Sequence, residues 1–278
     1  MNPPSSHVDD IEIQLLLDAI YQRYHYDFRD YALASLKRRL TQARAAFQCE
    51  SYTQLQDLVL HDSQALPKLL AYLTVQVSEL FRDPVYFRTL REQVLPYLRT
   101  YPSLKVWVPG CSSGEELYSL AILFREEGLE QRTMFYATDI NPEALRRAEA
   151  GIYQLDRIAL FTANHQKSGG KSSLSDYYTA SYGAAVMDKT LRNRVVFSDH
   201  SLVTDSVFAE VQLISCRNVL IYFGTDLQSR TIKLFLDALS WNGFLGLGAK
   251  ETLRFSPYAD QFQELSHQAR IYQKKRQP

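Results

Sequence analysis

LKVWVPGCSSGEELYSLAILFREEG, residues 104–128, decides how the chain is read. Its first seven residues are a short apolar run ending in glycine, the pattern of a buried strand. Residues 112–128 then carry apolar side chains at helical spacing behind two serines and a second glycine. A strand, a tight turn of small residues and a helix open a parallel strand–helix–strand unit. MFYATDI (134–140) predicts the next strand, Asn141-Pro142 caps and opens the next helix, and Gly151 suits its end. Further on, VVFSD (195–199), VQLISCRN (211–218), GFLGLG (243–248) and ARIYQKK (269–275) predict strands, with a helix over 225–239. KSGGKSSLSD (167–176) reads as an exposed loop leading into a small hairpin around Gly183, within about 174–194. The expected fold class is α/β, a doubly wound, mostly parallel sheet covered on both faces.

Upstream of this unit the apolar period is helical throughout. Residues 1–7 are a Pro/Ser-rich tail. Ile11, Leu15, Leu16, Ala19 and Ile20 form one stripe, and Phe28, Ala32, Leu36, Leu40, Ala43 and Phe47 form a second. Shorter patterns cover 51–61 and 63–75. These predict an all-α domain over 1–75. A linker follows over 76–103, where Asp83-Pro84 predicts an N-cap and first helical position for a helix to about 98. The sheet domain then occupies 104–278.

Composition excludes several classes. The chain has 278 residues, and its 31 Lys+Arg balance 31 Asp+Glu, so no broadly basic surface exists for phosphate binding. No run approaches the roughly 18 apolar residues that span a bilayer. The opening MNPPSSHVDD lacks the charged and apolar regions of a signal peptide. Cys49, Cys111 and Cys216 are odd in number and far apart, which fits neither a disulfide framework nor a CxxC zinc site. A cytoplasmic protein without a metal is the expectation.

In a doubly wound sheet, ligands bind beyond the carboxyl ends of the strands. Strand one ends in Gly110-Cys111-Ser112-Ser113-Gly114-Glu115-Glu116, and strand two ends in Asp139. An acid at the second strand's tip suits ribose hydroxyls, a layout shared by nicotinamide dinucleotides and S-adenosylmethionine. The dinucleotide fingerprint GxGxxG is absent, and Glu115 would repel a pyrophosphate at the helix start. A cationic sulfonium tolerates acids there, so S-adenosylmethionine is favoured and the dinucleotide stays open. Taken alone, Asp139 also reads as a plain cap and Glu115 as a partner for the helix N-terminus.

VSELFRD (77–83), GCSSGEELYSLA (110–121), ATDINPEAL (137–145), GIY (151–153) and SCRNVLIYF (215–223) together resemble the CheR chemotaxis receptor methyltransferases. The resemblance covers nearly the whole chain. It implies an N-terminal helical domain, a Rossmann-like class I methyltransferase domain and a small inserted β-subdomain. It implies transfer of a methyl group from S-adenosyl-L-methionine to chemoreceptor glutamates, leaving S-adenosyl-L-homocysteine. By motif, Arg82 and Tyr222 match catalytic positions. Gln76, Ser78, Arg82, Gly110, Glu115, Asp139, Ser201, Leu202, Arg217 and Asn218 match cofactor contacts. Gln76, Ser78 and Ser201 stand where the family usually has Asn, Thr and Asn. Gly224 stands for a common Asp, and Gly248-Ala249-Lys250-Glu251 for Gly-His-Ser-Glu. These departures leave an alternative open, a catalytically weak cofactor-binding scaffold.

Between Asp30 and Glu50 the chain has no acid but carries Lys37, Arg38, Arg39 and Arg44. This basic patch is a candidate to steer an acidic receptor helix, and the resemblance implies a substrate-facing role for it. Nucleic acid is disfavoured, since no aromatic–basic interleaving accompanies the patch.

Overall fold

The computed structural model describes residues 5–74 and 78–276. The chain divides into two compact units, one of residues 1–75 with 221–230, the other of 76–220 with 231–278. The first holds α1 (Ser5–Tyr24), α2 (Leu33–Ala46), α3 (Tyr52–His61) and α4 (Ala65–Leu73). Each buries one stripe: Ile13, Leu16, Leu17 and Ile20 from α1, Leu36, Leu40 and Ala43 from α2, Leu55 and Val59 from α3, Leu69, Leu70 and Leu73 from α4. Ser51 caps α3 by accepting from Gln54 N.

Phe28 is fully buried, yet it precedes α2 instead of opening it. His25 takes a left-handed backbone, and Asp27 turns the chain by accepting from Arg29 N and Nε. Tyr31 then forms a bridge to Phe223, Ala32 N donates to Tyr222 O (2.9 Å), and Gly224 N donates to Asp30 O (2.8 Å). Residues 221–230 therefore belong with the helices, whereas sequence reading ends the helical domain at 75. A Cβ on Gly224 would come 2.9 Å from the Asp30 carbonyl oxygen. That close approach gives this departure a steric reason.

The second unit begins with α5 (Pro84–Thr89) and α6 (Leu95–Leu98), joined by a π-helical turn over Leu90–Val94. The expected single helix is broken because Pro96 has no N–H to donate back to the preceding turn. Next come β1 (Leu104–Pro109), α7 (Glu115–Glu126), β2 (Thr133–Asp139), α8 (Pro142–Ala150), β3 (Ile152–Gln154) and α9 (Ile158–Lys167). They are followed by β4 (Tyr178–Ser181), β5 (Ala184–Met187), β6 (Val195–Asp199), β7 (Val211–Cys216) and α10 (Thr225–Ala238). The chain ends with β8 (Leu239–Leu247), β9 (Phe262–Ser266) and β10 (Ile271–Lys274).

The large sheet has order β6-β2-β1-β7-β8-β10-β9. Strands β6 to β8 are parallel, while β10 is antiparallel to both of its neighbours. The fold is thus the expected all-α part followed by a mostly parallel doubly wound sheet. Strand order reverses between β1 and β7, so a crevice lies at their carboxyl ends. Both faces are covered. Val106 and Val108 join a core with Leu90, Leu117 and Phe124, while Trp107 points the other way, edge-on to Phe235 of α10. The inserted hairpin is part of a three-stranded sheet, β3-β5-β4. Strand β9 escapes sequence reading because Gln263 and Glu264 are exposed and polar.

The serine/glycine stretch after α9 is tied down, not loose. Glu126 Oε1 accepts from His165 Nε2 (3.0 Å), Lys171 N (3.0 Å) and the Ser172 hydroxyl (3.2 Å), and Oε2 accepts from Arg91. Burial alone would push this carboxyl up, but the hydrogen bonds from His165 and Arg91 outweigh it and hold Glu126 at about 2. A depressed carboxyl stabilises fully above its ordinary value of 4.5 and loses that contribution as pH falls through about 2. Chemical denaturation across this acid range should show falling stability in the wild type and a flatter profile in Glu126→Gln.

Candidate active site

The β1–α7 turn is built from backbone that glycine tolerates best. Gly110 and Gly114 have φ of +65° and +90°, and between them Ser112 also lies in the left-handed region. This compact turn brings Ser112 N onto Asp139 Oδ2 (2.8 Å), while Asn141 N donates to Asp139 Oδ1 (2.9 Å). Asp139 is buried at the tip of β2. Burial raises its pKa and the amide hydrogen bonds oppose that rise. Asn141 accepts from Glu143 N and so caps α8. Asp139 is therefore not the helix cap. Both of its oxygens accept from neutral amides, and Ile140 N is a further backbone donor to the same carboxylate. Among the described residues no cation pairs with it.

The other two acids are balanced internally. Glu115, 1% exposed, accepts from the Ser113 hydroxyl (2.7 Å) and from Arg157 Nη1 (3.2 Å). Arg157 also donates to the Ser78 carbonyl, so it joins two expected site residues that are far apart in sequence. Glu116 accepts from the Ser215 hydroxyl and from Arg217 Nη1 (3.3 Å). Burial raises the Glu116 pKa, with Arg217 and Ser215 opposing it.

Arg217, at the end of β7, is as enclosed as Glu115, with its side chain 1% exposed. Nη2 donates to Asp83 Oδ2 (2.7 Å) and to the Arg82 carbonyl (3.0 Å), and the guanidinium lies 4.2 Å from the Tyr86 ring centre. Arg217, an expected cofactor contact, is thus clamped by protein acceptors. The expected side-chain cap by Asp83 is absent too, because Asp83 has φ 57° and its carboxylate turns to Arg217. Phe81 has φ 53° and its N–H donates to Ser119 Oγ (2.7 Å). Between these two left-handed residues sits Arg82, half-buried, with no protein hydrogen bond to its guanidinium among the described residues. Asn218, also left-handed, donates its N–H to Glu251 Oε2 (3.0 Å), which also accepts from Gly248 N (2.6 Å). Glu251 therefore ties the tips of β7 and β8 together.

His200 N donates to the Asp139 carbonyl (3.3 Å), which places Ser201 beside the β2 tip. Ser201 Oγ accepts from Val203 N (3.2 Å) and Thr204 N (3.3 Å), and Leu202 is half-buried in the same turn. Gln76 lies outside the described residues. Tyr222 belongs to the helical unit, where its ring faces the Arg39 guanidinium at 4.2 Å. Arg39 is buried, and it donates to Leu73 O and to Ser35 Oγ (2.9 Å). It is therefore no part of an exposed patch, which reduces to Lys37, Arg38 and Arg44. Of these, Lys37 pairs with Asp10 and Arg44 stacks over Tyr52.

Sequence reasoning assigned no role to Arg157 or Glu116 and noted Glu251 only beside a departure. Arg157 stands four residues beyond the GIY stretch, and Glu116 stands next to Glu115, so both were close to visible motifs.

The donor set suits S-adenosylmethionine better than a dinucleotide. Asp139 offers acceptors to hydroxyl groups, and the N-terminus of α7 already holds its own carboxylate where a pyrophosphate would need to sit.

Residues 76–271 match the family described as CheR methyltransferase, SAM binding domain, and residues 11–74 match the CheR methyltransferase all-alpha domain. A Pseudomonas putida protein described as a candidate methyltransferase, Cher3, is 54% identical over 265 residues, covering 95% of this chain and 97% of its own. A chemotaxis protein methyltransferase of Listeria innocua is 31% identical over 194 residues, covering 69% of this chain and 71% of its own.

Removing one partner of a buried ion network leaves the other charge uncompensated. Arg217→Ala should therefore cost about 3–5 kcal/mol in urea unfolding, against a far smaller loss for Arg99→Ala, whose side chain is half-exposed and whose partner Glu127 keeps Arg91 and Lys171.

Proposed function

Since the chain belongs to the CheR methyltransferase family, whose cofactor-binding domain it carries, we propose that it methylates glutamate side chains of a methyl-accepting chemoreceptor. The acceptors are carboxylates on the receptor's cytoplasmic helical region, and the products are γ-methyl esters and S-adenosyl-L-homocysteine. The reaction takes place in the cytoplasm. The observation that carries the reading is the Arg82 turn. It is a strained loop clamped at Phe81 and Asp83, whose Arg82 guanidinium makes no protein hydrogen bond among the described residues and acts electrostatically on Glu116.

The cofactor, when bound, supplies a methyl group made electrophilic by its sulfonium. Asp139 takes the ribose hydroxyls as an acceptor at the tip of β2. Gly110 and the 112–114 turn allow close approach to backbone. Ser78, Ser201, Leu202 and Asn218 border the same pocket, and Glu115 and Arg217 shape it from behind. The substrate glutamate is ionised at neutral pH, since its free pKa is about 4.3. It therefore needs no general base. One carboxylate oxygen forms the bond to the methyl carbon as the carbon–sulfur bond breaks, the electron pair stays on sulfur, and no proton moves.

Placement is then the main task, and in-line alignment supplies on the order of 7–11 kcal/mol in favourable cases. Arg82 orients the carboxylate with its planar fork. Tyr222 donates one hydrogen bond to the acceptor oxygen or packs beside the methyl group. Lys37, Arg38 and Arg44 favour approach of an acidic helix.

The test is a turnover assay. Labelled methyl from S-adenosylmethionine should appear as base-labile ester on a receptor cytoplasmic fragment. Arg82→Ala should lower the rate by about 100-fold or more at unchanged fold, and Tyr222→Phe should lower turnover with cofactor affinity kept. Cofactor binding by calorimetry without any label would favour a non-catalytic binding module, and a near-normal rate in Arg82→Ala would remove Arg82 from the mechanism.

A further inference from the structure

The stretch that leads out of β3 grips the chain at several points around the strand tips, and Arg157 is its central residue. After β3 the chain makes a single 3-10 turn, Leu155–Arg157, and enters α9. Leu155 N donates to Gly183 O (3.0 Å), which ties this turn to the hairpin. The Tyr153 hydroxyl donates to Ser113 O (2.8 Å), which ties it to the β1–α7 turn. From α9, Asn164 Nδ2 donates to Leu80 O (3.2 Å), just ahead of the Arg82 turn. Arg157 lies between these ties, with its guanidinium 4.7 Å from the Phe161 ring centre.

Arg157 divides its donors between two partners. Nη1 donates to Glu115 Oε1 (3.2 Å) and Nη2 to the Ser78 carbonyl. Among the described residues it is the one cation paired with Glu115. The Glu115 side chain is almost fully enclosed, so solvent screens its charge little. Its other donor, the Ser113 hydroxyl, is neutral.

The Glu115 charge is felt within the β1–α7 turn. Burial pushes the Cys111 thiol up, and Asp139, Glu115 and Glu116 push it the same way. The Tyr153 hydroxyl responds alike: burial raises it first, Glu115 raises it further, and Arg157 opposes them. Arg157 therefore subtracts from a negative field at the strand tips. S-adenosylmethionine and S-adenosylhomocysteine differ by the methyl group and by one positive charge, that of the sulfonium. A negative field favours the charged cofactor over the neutral product, and a cation that cancels one carboxylate narrows the difference.

We propose that Arg157 is a positioning residue that sets the preference between the cationic cofactor and its neutral product, by holding Glu115 in an ion pair. The transferred methyl group leaves sulfur uncharged, so a field that grips the sulfonium too strongly stabilises the ground state and slows transfer. Pairing Glu115 with Arg157 limits that grip while keeping both side chains in place. The inference rests on the cofactor-binding part of the reading above and is independent of the methyl acceptor.

Calorimetric titration of the full chain with each ligand, at about pH 8 and without acceptor, tests it. The quantity read is the product Kd divided by the cofactor Kd. Arg157→Gln removes the cation and should raise this ratio about threefold or more. Arg157→Lys keeps the charge and should hold the ratio near the wild-type value. Glu115→Gln leaves Arg157 uncompensated and should lower it, and the double variant Arg157→Gln with Glu115→Gln should restore it. Circular dichroism checks the fold of each. A merely structural arginine would change both affinities by the same factor and leave the ratio alone. An unchanged ratio in Arg157→Gln, an equal rise in Arg157→Lys, or a double variant that keeps the rise would each overturn the proposal. A wild type that binds neither ligand would remove the cofactor reading and this inference with it, whereas binding with an unresponsive ratio would remove the inference alone.

Discussion

A guanidinium buried at the end of β7 holds the candidate site together. Arg217 reaches back across the sequence to Asp83 and to the Arg82 carbonyl, and sideways to Glu116. Taking such a charge out of water is unfavourable by several kcal/mol. Three acceptors and the faces of Tyr86 and Phe87 offset that loss. The gain lies less in net stability than in what is held in place. Phe81 and Asp83 both adopt backbone that costs roughly 1–3 kcal/mol for a residue with a side chain. Such a turn persists only when its surroundings over-determine it. Ser119 pins one side, Arg217 pins the other, and Pro84 starts the helix immediately afterwards.

The charges at the strand tips follow the same economy. Three carboxylates gather where β1 and β2 end, yet two of them are neutralised from within. Glu115 belongs to Arg157 and Glu116 to Arg217, which leaves Asp139 with amides alone. A pocket whose one uncommitted acid is a pure acceptor is selective for hydroxyl or cationic groups. It disfavours phosphate further, because the first residue of α7, Glu115, sets a carboxylate at the start of the helix.

Much of this was legible in the sequence, for a physical reason. Strand period, glycine turns and the Asn141-Pro142 cap are local properties, so β1, β2, β6 and α8 emerge close to where they were expected. The small-residue turn and Asp139 lie on the same two strands. What stayed hidden depends on pairs distant along the chain: Arg157 with Glu115, Arg217 with Asp83, and Tyr31 with Phe223. The local signal at Asp83-Pro84 misled for a related reason, since a long-range ion pair overrides the cap that the dipeptide suggests. Arg39 is different, because its burial was readable. It stands three residues after Leu36 and four before Ala43, on the stripe that α2 buries. Counting charges before faces placed it in the wrong environment.

Helix α7 explains why placement can be so exact in a site with so little acid–base machinery. Its two ends are tied by separate arginines to the same stretch of chain. At the N-terminal end, Glu116 meets Arg217, which holds Asp83. At the C-terminal end, Glu126 and Glu127 meet Arg91. Ser119 adds a tie near the middle, to Phe81 N. Residues 81–91 are thus fastened along the length of one buried helix, and Arg82 sits within that fastened span. A reaction whose nucleophile arrives already charged asks the protein for direction more than for proton transfer. Direction is what a segment fixed at both ends and in the middle provides, so the ion pairs far from the strand tips belong to the same design as the strained turn that carries Arg82.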